Sequence, residues 1–251
     1  MTLTSGQKFQ EECKWNLDNR YPRRLPRQPH NVKLGDKVFM KVCDIGTFLA
    51  LVGHFPVPID AVIHNSDESF TDEMYNALSP FCRIVYAVNC VSTLATPIPL
   101  GFRDHQYTSH HVMTSIKNEP QPPRTILCLI NFLIATNISV RQAVFDKFSV
   151  NLWCTTQDYV TYDYRKSLTH SDSTTVQKRI NYYRTLKATK FAICPAGTGL
   201  DTHRVYECIL FGVTPIVLTS PLDRLYKDYP VWIVSSWDEI TEEKLLSHSF
   251  R

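Results

Sequence analysis

The sequence predicts an α/β fold with two successive parallel sheets, and three observations support this. Short apolar runs of strand length alternate with segments of helical periodicity along most of the 251 residues. A polar segment with three prolines, residues 118–123, interrupts the alternation near the middle of the chain. A glycine-bearing turn joins a strand to a helix at residues 194–204, as in a βαβ unit.

The composition is that of an ordinary globular protein. Hydrophobic residues make up 43% of the chain, and a net charge of +3 demands neither nucleic acid nor a membrane as partner. No apolar run reaches the roughly 18 to 20 residues of a membrane span. The eight cysteines form no Cys-x-x-Cys pair, which argues against a zinc site. No signal peptide precedes them, so we expect reduced thiols and a cytoplasmic protein.

The first half of the chain begins with a polar lead, residues 1–34, whose prolines and arginines cluster between Tyr21 and Pro29. These prolines favour an extended path over a helix. The segments that follow are predicted as strand Lys37–Cys43, helix Ile45–Leu51, strand Asp60–His64, helix Glu73–Leu78 and strand Arg83–Val88. Thr71 or Ser69 is expected to cap the second helix. We assign residues 1–118 to one Rossmann-like domain and 119–124 to a stiff linker.

The second half, residues 125–251, repeats this alternation and predicts a second Rossmann-like domain. Its predicted strands are Thr125–Leu129, Val150–Cys154, Phe191–Cys194, Pro215–Leu218 and Val231–Val234. Its predicted helices are Val140–Phe148 capped by Ser139, Thr175–Leu186, a helix after Thr202 that stops at Gly212, a short helix at Pro221 and a last one from Thr241. Open α/β sheets bind ligands beyond the carboxyl ends of their strands, so we place the site residues there.

The turn after strand Phe191–Cys194 has the features of an anion-binding turn. Gly197 and Gly199 permit tight backbone angles, and Asp201 and Thr202 are good N-cap residues. Such a turn points backbone N–H groups and a helix N-terminus at the space above the sheet. This arrangement favours an anion such as a phosphate.

Three polar side chains follow in the helix. His203 and Arg204 lie in its first turn, and Glu207 lies one turn after His203. A cation, an imidazole and a carboxylate beside such a turn indicate a nucleotide, with its phosphates at the helix N-terminus and its ribose hydroxyls on Glu207. Each of the three residues can also be read as an ordinary solvated helix residue.

The segment CPAGTGLDTHRVYECILFGVTPIV and the following TSPLDRLYKDYPVWIVSSWDEIT carry a specific pattern. It resembles the C-terminal half of exostosin-like glycosyltransferases, which usually show Cys-Pro-x-Gly-x-Gly-x-Asp-[Thr/Ser]-x-Arg, then Glu-Ala-Leu and a Gly-x-[Ile/Thr]-Pro-Val strand. Arg204, Glu207, Gly212 and Pro215 match this pattern. The resemblance is specific over residues 191–241, weaker over 125–190 and faint before that. Ala196 departs from it, because many relatives have Arg there.

This resemblance implies a GT-B fold, in which two Rossmann-like domains with parallel sheets face each other across a cleft. It also implies an inverting glycosyltransferase that moves a sugar from a UDP-sugar to a glycan or glycoprotein acceptor. The compact size resembles the xylosyltransferases that large algal viruses encode to glycosylate their capsid protein. That likeness implies UDP-xylose as the donor and the host cytoplasm as the location. Residues 125–251 would then bind the nucleotide sugar, and residues 1–118 the acceptor.

Other candidate donor residues also lie near the ends of strands. Asn131 follows strand Thr125–Leu129, Arg141 lies in the next helix and Arg165 in a polar loop. A guanidinium suits phosphate oxygens, although Arg141 can equally be a surface residue. The complete predicted donor set is Asn131, Arg141, Arg165, Gly197, Thr198, Gly199, Thr202, His203, Arg204, Glu207, Thr219 and Ser220.

The acceptor side should supply a general base. An inverting transfer needs a carboxylate that takes the proton of the attacking hydroxyl. Residues 64–68 end a predicted strand, so we predict Asp67 as the base, with Asp72 and Glu68 as alternatives. His64 and Asn65 are predicted to bind the acceptor sugar. The chain contains no Asp-x-Asp pair, and we expect no metal and no cofactor beyond the donor itself.

Three other functions share parts of this pattern. A nicotinamide-dependent oxidoreductase needs G-x-G-x-x-G, and only two of its glycines, Gly197 and Gly199, are present. A UDP-sugar epimerase of related two-domain shape would share the donor site and lack an acceptor site. A non-catalytic nucleotide- or glycan-binding protein would retain binding without turnover.

Overall fold

The structure is a computed structural model, and it describes residues 4–18, 31–104, 110–157 and 173–248. The chain forms two compact units, each with its own five-stranded sheet. Unit 1 comprises Met1–Asp104 together with Thr198–His203 and Ser220–Leu225, and unit 2 comprises His105–Gly197, Arg204–Thr219 and Tyr226–Arg251. The predicted α/β class with two parallel sheets is confirmed. Unit 1 ends its long segment at Asp104, ahead of the proline-rich segment at 119–124.

In unit 1, five parallel strands lie side by side in the order in which they occur along the chain, β1-β2-β3-β4-β5. The elements are α1 (Gly6–Glu11), β1 (Trp15–Asn16), β2 (Lys37–Met40), a 3₁₀ turn (Val42–Asp44), α2 (Ile45–Val52), β3 (Ile59–Ile63), α3 (Asp72–Leu78), β4 (Cys82–Ala87) and β5 (Thr96–Pro97). The central strand β3 is buried along its whole length, as its apolar run predicts. Pro97 belongs to the edge strand, where its missing N–H costs no ladder hydrogen bond.

Unit 2 contains the second sheet, which is also parallel and has the order β10-β9-β8-β6-β7. The elements are α4 (His110–Asn118), β6 (Ile126–Ile130), a 3₁₀ turn (Ile134–Thr136), α5 (Ile138–Phe148), β7 (Cys154–Thr156), α6 (Ser173–Lys187), β8 (Thr189–Ile193), α7 (His203–Leu210), β9 (Thr214–Leu218), α8 (Asp223–Tyr226), β10 (Trp232–Val234), a 3₁₀ turn (Trp237–Glu239) and α9 (Glu242–Ser247). The unit boundaries cut through both α7 and α8.

The order of the second sheet contains a reversal. The chain adds β7 on one side of β6 and then β8, β9 and β10 on the other side. Counted within the unit, this is the 2-1-3-4-5 order of doubly wound sheets, and its switch point lies between β6 and β8. Ligands of such sheets bind beyond the carboxyl ends of the strands at the switch point. The sequential order of the described strands in unit 1 has no such reversal.

Several local predictions are corrected by the structure. The polar lead contains the helix α1, and the helix α4 was not predicted. The predicted strand Val150–Cys154 is wrong, because β7 begins only at Cys154 and Leu152 is fully exposed. The peptide N–H of Cys154 donates to the Asn151 carbonyl at 3.0 Å, which makes this apolar segment a turn. An alternating apolar pattern alone does not distinguish a strand from an exposed loop of the same composition.

The predicted helix caps are confirmed in one case and wrong in another. The Thr71 hydroxyl accepts a hydrogen bond from the Met74 N–H and caps α3, whereas Ser69 does not occupy the cap position. Helix α5 begins at Ile138 with Asn137 at its N-cap, so the prediction of Ser139 as cap is wrong. In the part of the chain that the structure describes, no helix has both the length and the apolar composition of a membrane span.

Candidate functional site

The carboxyl ends of β6 and β8 meet at the switch point of unit 2. Asn131 directly follows β6, and the segment Cys194–Gly197 directly follows β8. Register places Leu129 of β6 beside Ala192 of β8, so both strands end at the same edge. The structure therefore brings two of the predicted donor elements together at the place where such sheets bind ligands.

Four side chains of unit 2 form a hydrogen-bonded group at this edge, which we call the Arg204 cluster: Asn131, Tyr182, Arg204 and Glu207. The Arg204 guanidinium donates through Nη1 to Asn131 Oδ1 at 2.9 Å and to Tyr182 Oη at 3.2 Å. Its Cζ lies 5.6 Å from the centre of the Tyr182 ring. Asn131, Tyr182 and Arg204 are buried, so this charge is held in a poorly hydrated environment.

Glu207 is the accessible member of the cluster. Tyr182 Oη donates to Glu207 Oε2 at 2.7 Å. Burial raises the pKa of the Tyr182 phenol well above its usual range, so the hydroxyl stays protonated and keeps donating. Oε1 of Glu207 receives no hydrogen bond from the residues that the structure describes, and the side chain is only half-buried. One carboxylate oxygen is thus fixed, and the other is open to a ligand hydroxyl.

Replacement of Tyr182 by Phe should destabilise unit 2. The change keeps the ring but removes one hydrogen bond to a carboxylate and one from a guanidinium, so we expect a loss of about 2 kcal/mol. Urea unfolding followed by tryptophan fluorescence measures it, because Trp153, Trp232 and Trp237 all belong to unit 2. Tyr75→Phe is the control. A stability equal to that of the control variant would contradict the role given to this hydroxyl.

Arg141, a predicted phosphate ligand, is committed to the loop in this structure. Its Nε donates to the Ala196 carbonyl at 2.9 Å and its Nη2 to the Pro195 carbonyl at 3.2 Å. Its Nη1 donates to the Leu133 carbonyl at 2.9 Å and to Thr136 Oγ1 at 2.6 Å. The side chain is buried, and its bonds to the Pro195 and Ala196 carbonyls fix the path of the turn after β8. Contact with a phosphate stays a prediction and would require some of these bonds to exchange.

Gly197 is one of the two turn glycines, and its absent side chain matters for packing. A Cβ at this position would lie 2.9 Å from Arg141 Nη2. Its carbonyl accepts a hydrogen bond from Asn137 Nδ2 at 3.1 Å. Glycine therefore permits the turn to approach the guanidinium that holds it.

The rest of the turn, Thr198–His203, belongs to unit 1, and Asn89 binds its main chain there. Asn89 Oδ1 accepts a hydrogen bond from the Asp201 N–H at 2.7 Å, and a Cβ on Gly199 would lie 2.7 Å from Asn89 Nδ2. Asp201 accepts hydrogen bonds from the Leu100 N–H at 2.8 Å and from the Thr202 N–H at 2.8 Å. Asp201 was predicted only as a helix cap, and the structure shows that it also binds the main chain at Leu100. Thr198 is exposed.

The predicted acceptor and base residues lie in the loop after β3, in unit 1. Asp67, Glu68 and Asp72 are exposed, and Asp72 Oδ1 accepts a hydrogen bond from the Thr93 N–H at 3.1 Å. Asn89 Nδ2 donates to the Ser66 carbonyl at 2.9 Å and so holds this loop. The three carboxylates are accessible to a substrate, and their catalytic role stays a prediction.

His64 and Asn65 have a structural arrangement of their own. His64 is fully buried, its Nδ1 accepts a hydrogen bond from the Asn65 N–H at 2.8 Å, and its Nε2 donates to the Pro99 carbonyl at 3.1 Å. Asn65 has a φ of 56°, in the left-handed region that asparagine tolerates. Contact between His64 and an acceptor sugar would require this arrangement to open.

The remaining predicted donor residues are placed as follows. Thr219 is exposed, and its N–H donates to the Val234 carbonyl at 2.8 Å. The Ser220 hydroxyl accepts a hydrogen bond from the Leu222 N–H at 3.2 Å, which is a serine turn at the start of α8. Arg165 lies outside the described residues. Within the described ranges, no group of three or more His, Cys, Asp or Glu side chains is arranged to hold a metal ion.

Sequence reasoning missed Tyr182 and Asn89. Asn89 directly follows the strand Arg83–Val88, so the strand-end rule that selected Asn131 applies to it as well. Tyr182 lies within a long polar helix, 25 residues before its partner Glu207, and only the fold brings the two together. No protein-family model matches this sequence, and no curated protein matches it either.

Proposed function

We propose that the chain is an inverting glycosyltransferase of GT-B type that binds a UDP-sugar in unit 2 and transfers the sugar to a glycan or glycoprotein hydroxyl. The observation that carries the proposal is the Glu207 carboxylate, fixed on one oxygen by Tyr182 and open on the other, at the switch point of a doubly wound sheet. The exostosin-like pattern at Arg204, Glu207, Gly212 and Pro215 supports the same assignment. Xylose is the proposed sugar.

The chemistry of these groups supports nucleotide binding. Oε1 of Glu207 accepts hydrogen bonds from ribose hydroxyls, which a carboxylate binds more strongly than a neutral acceptor does. Arg204 lies in the first turn of α7, where the helix dipole is already positive. A guanidinium at that position adds its positive charge to that of the helix terminus, and the two together favour a diphosphate.

The transfer step needs a proton acceptor and a stabilised leaving group. The acceptor oxygen attacks the anomeric carbon, its proton passes to a carboxylate, and the bond to the diphosphate breaks with its electron pair on UDP. Asp67 is the proposed base, with Glu68 and Asp72 as alternatives. The positive charge of Arg204 and the N–H groups of the helix terminus stabilise the diphosphate as it leaves. This scheme needs no divalent ion.

The Glu207→Gln variant tests nucleotide binding. The amide keeps the size of the side chain but loses the charge that holds the ribose, so the dissociation constant for UDP should rise roughly tenfold to a hundredfold. Isothermal calorimetry with UDP measures this. Glu243→Gln changes an exposed carboxylate on α9 and should leave UDP binding unchanged. If Glu207→Gln and Glu243→Gln bind UDP equally well, Glu207 does not bind the ribose.

Turnover separates the candidate functions. Wild-type protein is incubated with UDP-xylose, UDP-glucose and UDP-N-acetylglucosamine, with and without a glycan acceptor. UDP release that accelerates with the acceptor supports transfer. An epimerised donor would indicate a UDP-sugar epimerase instead, and tight UDP binding without turnover would indicate a binding protein. Failure to bind UDP at all would overturn the transferase, the epimerase and the nucleotide-binding assignments.

A further inference from the structure

The imidazole of His203 is held in one tautomer. His203 Nδ1 lies 2.7 Å from the carbonyl oxygen of Gly101, also in unit 1. A carbonyl oxygen can only accept, so Nδ1 carries the hydrogen, and Nε2 of the neutral ring has a lone pair. Nε2 makes no hydrogen bond with any residue in the described part of the chain.

The ring is also held neutral. Burial, and then the positive charge of Arg103, lowers the pKa of His203 to about 3. The hydrogen bond to Gly101 opposes this shift without cancelling it. A neutral imidazole with Nδ1 occupied cannot donate to a phosphate oxygen, so His203 is unsuited to the diphosphate role that the sequence predicts for it.

A second polar atom of the same segment lacks a partner. Thr202 Oγ1 is buried and makes no hydrogen bond to any group within the described ranges. Buried hydroxyl groups in folded proteins rarely lack a hydrogen bond, because without one the free-energy cost of removing the hydroxyl from water is not offset. Two consecutive residues thus present an unused hydroxyl and an unused acceptor nitrogen, and a ligand that carries hydroxyl groups can satisfy both.

We propose that Thr202 and His203 form a hydroxyl-binding site for a sugar, in which Nε2 of His203 accepts a hydrogen bond from one sugar hydroxyl and Thr202 Oγ1 binds a neighbouring one. This inference rests on the proposed function. It changes the part played by His203 from an anion ligand to a residue that selects the sugar. The hydroxyls belong either to the sugar of the donor or to the acceptor glycan.

The His203→Asn variant isolates the acceptor nitrogen. The Asn carboxamide can still donate to the Gly101 carbonyl, as Nδ1 does, but it has no group at the position of Nε2. We expect UDP affinity within twofold of wild type and a KM for the sugar substrate that is higher by roughly tenfold to a hundredfold. Thr202→Val, which keeps the shape of the side chain, should act in the same direction. His111→Ala, an exposed histidine on α4, should change neither value.

Nitrogen NMR of histidine-labelled protein reads the site directly, with the His203→Asn variant identifying the signal. A shift of Nε2 with UDP-xylose but not with UDP assigns the hydroxyl to the donor sugar. A shift with xylobiose alone assigns it to the acceptor. If UDP binds by calorimetry but neither sugar moves the signal, the hydroxyl site is refuted and the proposed nucleotide binding stands. If UDP does not bind, the proposed function fails, and the xylobiose titration alone decides the site.

Discussion

Gly101→Ala should destabilise unit 1 by about 3 kcal/mol or more, from left-handed backbone strain and steric overlap together. Gly101 has a φ of +68°, a region in which a β-carbon is strained. The added Cβ would lie 2.1 Å from the carbonyl oxygen of Thr4, and main chain cannot move aside as a flexible side chain can. The same carbonyl accepts the Phe102 N–H at 2.6 Å, so relief of the overlap breaks the contact between residues 4–5 and 101–102.

In the Gly101→Ala variant, the region around residues 4–5 should open more often than the rest of unit 1 unfolds. Hydrogen-exchange mass spectrometry should show faster exchange in the peptides of α1, because the chain that precedes this helix is displaced. Since the Gly101 carbonyl binds His203 Nδ1, the variant should also raise the KM for the sugar substrate.

The control for Gly101→Ala is Gly46→Ala in α2, where a Cβ meets nothing within 4 Å. That change should stabilise the protein by about 0.5–1 kcal/mol. Equal stability of the two variants would refute the close approach at Gly101.

Arg141→Ala should destabilise unit 2 by about 3 kcal/mol, since it removes four hydrogen bonds of a buried guanidinium. Three of the acceptors are main-chain carbonyls in the segments that follow β6 and β8. Without the guanidinium, the turn at Pro195–Gly197 loses the side chain that fixes its path. On the proposed function, the dissociation constant for UDP should then rise about tenfold, because the turn that binds the phosphates is no longer held in place.

Two measurements separate the effect of Arg141 on the stability of unit 2 from its effect on UDP binding. Urea unfolding by tryptophan fluorescence gives the stability, and calorimetry gives the UDP affinity at a temperature where the variant is folded. Lys178→Ala removes an exposed cation from α6 and should change neither quantity. Arg141→Lys keeps the charge but not the planar fork, so it should resemble Arg141→Ala if geometry matters. A lysine variant with wild-type stability and affinity would show that charge alone suffices.

Local patterns predicted much of the fold. The mainly apolar runs at Ile59–Ile63, Thr189–Ile193 and Thr214–Leu218 are interior strands, because burial on both faces favours a mainly hydrophobic sequence. The predicted run at Val150–Cys154 was misleading, since Leu152 is apolar but fully exposed. Burial is a property of the folded chain, and composition does not report it at a single position.

The sequence by itself determined the α/β class, the two sheets and the polar groups that follow the strands β6 and β8. These features depend on residues within a few positions of one another, so short windows of sequence are enough to show their periodicity and their turn residues. Only the tertiary structure decided the strand order with its switch point, the partnership of Tyr182 with Glu207, and the bond of His203 to Gly101, 102 residues away. Such contacts depend on the path of the whole chain, because residues distant in sequence become neighbours only after the sheets have formed.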